Sequence, residues 1–270
     1  MAPYTIDEIS IGPFNTVLSR YSSTVPDKLG LLDTERYETI PAAVESRKER
    51  DEDTLLQKSE VETLVEWKLK HGTFRPKLLD LVKSNPEPFV QETISNAFTS
   101  LNAEDPLPAL KVLTQLKGIG PATASLLLSV YAPGEVPFFS DELFRWCMWD
   151  EDGKPDGWKR AIKYNIKEYG ALIARVQGLR KRLRVSAVDA ERVAYVLGKE
   201  GVDVKDVRDE DEAVEEAAEE EEKESRKPIQ KVVKRDDVKK SAHTGVKRKV
   251  AEVKPVTEGT RRSSRRRTEE

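Results

Sequence analysis

The chain has 270 residues, 46 basic and 49 acidic, so 35% are charged and only 37% apolar, against about 25% charged in an ordinary globular protein. One cysteine, Cys147, and two histidines, His71 and His243, exclude intramolecular disulfides, thiolate zinc sites and a four-cysteine iron–sulfur cluster, so no metal and no cofactor is expected. The N-terminus carries Asp7 and Glu8 without an apolar run, and the longest uncharged stretch, 118–134, holds Pro, Gly, Ser and Thr. Neither a signal peptide nor a membrane span is expected, which suits a soluble protein of a reducing compartment.

The charge excess is concentrated at one end. Residues 205–270 hold 19 basic and 18 acidic side chains among 66 and no aromatic, so all 18 aromatics fall in 1–204. A segment of that composition cannot bury enough apolar surface to offset backbone ordering, about 1 to 2 kcal/mol per residue. It is expected to be a disordered tail, with an acidic block at 206–224 of net charge −10 and a basic block at 225–270 of net charge +10. Within the basic block, Lys247-Arg248-Lys249 and the arginines at 261, 262 and 265–267 are short cationic clusters of the kind found in nuclear localisation signals and nucleic-acid patches. They point to a nuclear protein whose tail reaches protein partners.

From residue 5 to 197 the apolar pattern is helical almost throughout, and no alternating run of five or more residues suggests a strand. Ser59 with Glu62 reads as a capping box opening a helix at 61–70, and Gly72 ends it. Arg75-Pro76 starts a short helix and Asn85-Pro86 breaks it; apolar faces follow at 89–101 and 110–116. Later helices are expected near 141–149, 158–168 and 172–183, then 189–197 with Gly198 as its stop. The fold class is therefore all-α.

Charge also varies within residues 1–204, which sum to −4. The stretch 158–184 alone carries nine basic residues against Glu168, a net of +8. Such a patch fits an oriented encounter with a polyanion, or equally solvated faces and internal ion pairs. A smaller basic cluster, Lys68, Lys70, His71, Arg75 and Lys77, marks a helix end that can either contact phosphate or simply favour the negative end of its own helix.

The most specific local pattern is Leu113-Thr-Gln-Leu116-Lys-Gly118-Ile119-Gly120-Pro121-Ala122-Thr123-Ala124. Two apolar helices are joined by Gly-Ile-Gly, and Pro121 stands where a first helical residue loses no hydrogen bond. Gly118 and Gly120 permit a tight turn and close backbone approach, Ile119 can fold into the hairpin core, and free N–H groups at the second helix face outward. Together with Thr123 they form a candidate phosphate-binding site built from backbone. This segment, at 110–131, resembles the helix-hairpin-helix of DNA-binding proteins.

Downstream, Val136-Pro-Phe138-Phe139-Ser140-Asp141-Glu-Leu-Phe144-Arg145-Trp146 is similar to the segment that carries the catalytic aspartate in helix-hairpin-helix DNA glycosylases, and more narrowly to the little-characterised nuclear proteins of the Amun type. The resemblance implies a two-lobed helical bundle with a pocket between the lobes, binding duplex DNA as a monomer. It further implies Asp141 as the catalytic carboxylate and Phe138, Phe139 and Trp146 as walls of a base pocket. The lyase branch of that family has a lysine two positions after the second glycine. Here that position is Ala122, so the likeness is to monofunctional base-excision repair enzymes such as those removing alkylated purines.

Two points stay open from the residues alone. An ungapped register puts Ser140 where the aspartate belongs, whereas a one-residue shift restores Asp141, and about 100° of helix rotation separates the two. Either residue could instead be an N-cap. The alternative functions are a catalytically degenerate DNA- or chromatin-binding protein and an interaction scaffold.

Overall fold

Every regular element in the computed structural model, which describes residues 4–72 and 75–205, is helical, and no strand occurs among them. The chain begins with α1 (Ile11–Ser19), α2 (Tyr21–Thr24) and α3 (Gly30–Thr34), then passes through a π-helical turn at Glu35–Thr39 directly into α4 (Ile40–Glu49). There follow α5 (Lys58–His71), α6 (Leu78–Lys83), α7 (Glu87–Thr99), α8 (Leu107–Leu113), α9 (Pro121–Tyr131) and α10 (Asp141–Cys147). The last two are α11 (Ile166–Leu183) and α12 (Ala187–Glu200). The expected tail from 206 onward lies outside the described residues.

Helix α9 occupies the core because its sequence allows nothing else. It carries no charge, and residues 122–130 are all buried, with α4, α5, α8 and α11 packed around it. An all-round apolar helix needs neighbours on every side. Leu126, Leu127 and Leu128 are each fully buried, and each such side chain contributes about 1.5 to 3 kcal/mol relative to exposure. Its two serine hydroxyls donate within the helix: Ser125 to the Ala122 carbonyl at 3.0 Å and Ser129 to that of Leu126 at 2.8 Å.

Around α12 a second set of helices, α1, α2, α10 and α11, packs its apolar faces. The N-terminal residues are tied to this set by side chains reaching for backbone carbonyls. Trp146 Nε1 donates to Tyr4 at 2.8 Å, and Arg182 donates to Ile6 at 2.8 Å and to Ile9 at 2.5 Å. Deep inside, Arg36 projects from the π-helical turn, fully buried, to Glu191 on α12 at 3.2 Å and to Ser129 Oγ at 2.7 Å. Tyr37 donates its hydroxyl to the same carboxylate at 2.7 Å.

Three sequence expectations are corrected. Helix α5 starts earlier than the Ser59–Glu62 pair suggests, because the Gln57 N–H donates to Glu60 at 2.7 Å while Arg47 grips both Glu60 oxygens at 2.7 Å. No long helix spans 158–168: after a 3-10 turn at Gly157–Lys159 the chain stays non-helical to Asn165. The Asn165 side chain accepts from Glu168 N at 2.9 Å and so fixes the start of α11. Gly198 does not stop α12, which runs on to a left-handed Gly201 with φ 66°. A Cβ at Gly198 would meet Glu142 Cγ at 2.8 Å, so this glycine serves close packing.

In the +8 stretch the internal-pairing alternative is the one seen for most of its arginines, which have structural partners. Arg160 is buried and donates to the carbonyls of Glu151 and Asp152, Arg175 pairs with Asp7 at 2.5 Å and Glu151 at 3.0 Å, and Arg180 donates to the Glu135 carbonyl. Of the nine, only Lys163 lines the cleft that opens beside the α8–α9 turn.

Candidate functional site

The turn between α8 and α9 assigns different tasks to its two glycines. Gly118 has φ +80°, and a Cβ there would meet Val82 Cγ2 at 3.0 Å and the Leu78 carbonyl at 3.2 Å, so it is the residue the turn requires. Gly120 is extended, and a Cβ there would meet nothing within 4 Å. That space belongs to the cleft. Ile119 between them is buried in the core, as its apolar side chain demands. The turn is locked from outside by Asn85, whose side chain accepts from Lys117 N and donates to Lys117 O, both at 2.9 Å. The N–H groups of Gly118 and Gly120 make no hydrogen bond among the described residues.

Facing the turn is the start of α10. The segment leading to it is pinned on both sides: Phe139 N donates to Ser125 Oγ on α9 at 2.9 Å, and Tyr169 on α11 donates to the Pro137 carbonyl at 2.9 Å. Ser140 then caps the helix, its Oγ accepting from Leu143 N at 3.1 Å. Capping therefore falls to Ser140, which leaves the Asp141 carboxylate to face the cleft. Its Oδ1 accepts from the Tyr164 hydroxyl at 2.7 Å, and its Oδ2 lies 3.8 Å from Arg145.

Tyr164 reaches that position because its backbone is left-handed, φ +54°, inside the stretch expected to be helical. Burial first, and then the Asp141 carboxylate, push its hydroxyl well above the ordinary tyrosine value. It therefore stays protonated and remains a donor to Asp141.

These pieces enclose a cleft of about 370 Å³. Gly118, Gly120, Pro121, Ala122 and Thr123 form one side, and Phe138, Phe139, Ser140 and Asp141 another. The third wall is α5 together with the residues just past its end, and it presents Trp67, Lys68, His71 and Arg75. The sequence pattern foresees the first two sides; Trp67 and Tyr164 it does not single out, and Lys68, His71 and Arg75 appear there only as a basic helix end. Trp146 is not in the cleft. Its indole is fully buried and turned to the Tyr4 carbonyl, because the Ser140 cap sets which face of the short α10 points inward.

The electrostatics of the α5 wall are uneven. His71 stacks between Trp67, centroids 4.4 Å apart, and Tyr195 at 4.3 Å. Burial, reinforced by Lys199 and Arg36, holds its imidazole down to about 3, so it is neutral at physiological pH. Lys68 is half-buried and its ammonium makes no hydrogen bond or ion pair among the described residues. Burial lowers its pKa, Arg75 pushes the same way, and Asp141 opposes both. Arg75 lies over the Tyr164 ring with its guanidinium carbon 5.5 Å from the centroid. Glu142, also lining the cleft, is paired with Lys199 at 3.1 Å.

Among the described residues no three His, Cys, Asp or Glu side chains gather as a metal site, and no helix is long and apolar enough to cross a membrane. Cys147 is buried, and burial raises its thiol well above the ordinary value. Comparison with family models, curated proteins and solved structures gives no match to this chain.

Proposed function

We propose that the chain is a nuclear, helix-hairpin-helix DNA glycosylase-like protein, two-lobed around this cleft, that releases a damaged base from duplex DNA without a cofactor. One observation carries the reading. Asp141 lines the same cleft as Gly118, Gly120 and Thr123 and is relieved of the capping role by Ser140. Hairpin backbone suited to a DNA phosphate and a carboxylate suited to a sugar thereby line one cleft.

The chemistry follows from that juxtaposition. Loosening the N-glycosidic bond develops positive charge on the sugar, and a fixed carboxylate stabilises it and orients or deprotonates the attacking water. The Tyr164 hydrogen bond fixes the Asp141 carboxylate before the reaction begins, so little reorganisation is needed in the transition state. The target base must leave the stack at a cost of a few kcal/mol and be held among aromatic faces. Tyr164, partly exposed, offers such a face, with Trp67, Phe138 and Phe139 almost wholly buried behind the cleft wall. Ala122 supplies no amine at the hairpin, and the nucleophile in this reading is a water oriented by Asp141.

Single-turnover base release from duplexes carrying alkylated or deaminated bases tests this. Asp141→Asn should lower release by about 10² to 10³-fold with DNA affinity unchanged. Ser140→Ala should cost about 0.5 to 2 kcal/mol of stability and leave release intact. Wild-type protein that binds DNA yet releases no base from a broad lesion panel would instead make this a DNA- or chromatin-binding protein without catalysis.

A further inference from the structure

The α5 wall holds a cation that the proposed function leaves unused. Lys68 lines the cleft, is half-buried, and lacks any hydrogen bond or ion pair among the described residues. Its helix neighbour Lys70, by contrast, is exposed and bonded to Glu66 at 2.5 Å. A part-exposed cation without a contacting carboxylate adds little to fold stability, so its placement in the cleft wall is left to be explained by a ligand. The charges that line the cleft with Lys68 are Arg75, Lys163, Asp141 and Glu142, and Glu142 is already paired with Lys199.

We infer that Lys68 is a catalytic proton donor to the departing base, and that the substrates are neutral lesions, deaminated or oxidised, rather than cationic alkylpurines. This rests on the base-release reading above and names its substrate class. A cationic alkylated base needs no help to leave, because the bond electrons that it takes neutralise its charge. A neutral base departs as an anion and needs a proton.

In the proposed step the C1′–N bond breaks with its electron pair going to the base. The Lys68 ammonium gives that base a proton. Water adds to C1′ and gives a proton to Asp141, and exchange with solvent returns Lys68 and Asp141 to their starting forms. Asp141 serves the sugar and Lys68 the base, from two walls of one cleft. Burial and Arg75 lower the Lys68 pKa, which makes its ammonium a stronger acid than an exposed lysine. The same cations disfavour a positively charged base in the pocket.

The experiment compares single-turnover release of hypoxanthine and of 7-methylguanine from otherwise identical duplexes. Wild type should release hypoxanthine faster. Lys68→Met should lower hypoxanthine release by about 10²-fold or more while 7-methylguanine release holds or rises. Lys68→Arg keeps a cation and a hydrogen-bond donor but holds its proton too tightly to transfer it, so it should keep DNA affinity without restoring hypoxanthine release. Lys70→Ala should change neither rate.

Rescue by Lys68→Arg, or equal loss on both substrates in Lys68→Met, would overturn the proton-donor role. Release of 7-methylguanine alone by wild type would overturn the substrate class while leaving base release standing. Release of neither would overturn both.

Discussion

In the interior, Arg36 meets Glu191 at 3.2 Å, and Ser129 and Tyr37 complete the contact with hydrogen bonds of 2.7 Å. In the cleft, Lys68 and Asp141 share one space and form no ion pair; Asp141 takes its hydrogen bond from Tyr164, and Lys68 takes none among the described residues. Both regions draw charge from helices distant in sequence, but Arg36 and Glu191 meet directly whereas Lys68 and Asp141 do not. The difference separates architecture from chemistry. The buried pair ties α12, α9 and the π-helical turn together even though Arg36 Nε and Nη1 find no partner among the described residues, whereas the part-exposed cation of the cleft stays available to a ligand.

The largest effect should come from breaking the interior pair. Arg36→Ala strands Glu191 in a dry site and should lower unfolding free energy by about 3 to 5 kcal/mol in chemical denaturation. The double variant Arg36→Met with Glu191→Leu should recover most of that loss, since it leaves no unpaired charge. A single variant costing under about 1 kcal/mol would make the interior pair no different from the half-exposed charges of the cleft.

A smaller effect is expected at His71, which lines the cleft yet is packed between two aromatic rings. Its folded pKa, about 3, lies below the ordinary 6.5. The unfolded chain therefore takes up the proton first, and stability present above pH 6.5 is lost as pH falls toward 3. His71→Phe keeps a ring between Trp67 and Tyr195 and removes the titration. The stability difference between wild type and variant should shift against wild type by about 1 kcal/mol from pH 6 to pH 5. A difference that stays constant over that range would contradict the buried, neutral imidazole.

Much of the cleft was legible in sequence because its signals are local. Gly118, Gly120, Asp141, Phe138 and Phe139 lie within 24 residues of one another, and the turn and cap rules act over three or four positions. The α5 wall was not legible in that way. Trp67 and Lys68 precede the hairpin by about 50 residues, and only the packing of α5 against α9 brings them to it. Tyr164 was hidden by its surroundings: a helical apolar spacing at 158–168 is overridden by the buried Arg160 and by the Asn165 cap, which leave the tyrosine in a left-handed backbone. Trp146 shows the converse limit, since aromatic clustering says nothing about which face of a seven-residue helix points inward. The all-α class needed none of this detail.

The proposed function rests on the open face of the hairpin turn, with its free backbone N–H groups, holding a DNA phosphate. Equilibrium binding of a short duplex across a salt series measures it most directly, using Gly120→Ala and Gly120→Asp. A Cβ at Gly120 meets nothing within 4 Å and its backbone is extended, so both variants should fold as wild type does. Wild type and Gly120→Ala should bind alike, with log K falling linearly against log salt, whereas the Gly120→Asp carboxylate should repel the phosphate and weaken binding to every duplex sequence about equally. Folded Gly120→Asp protein that binds duplex as tightly as wild type, with the same salt slope, would contradict the account.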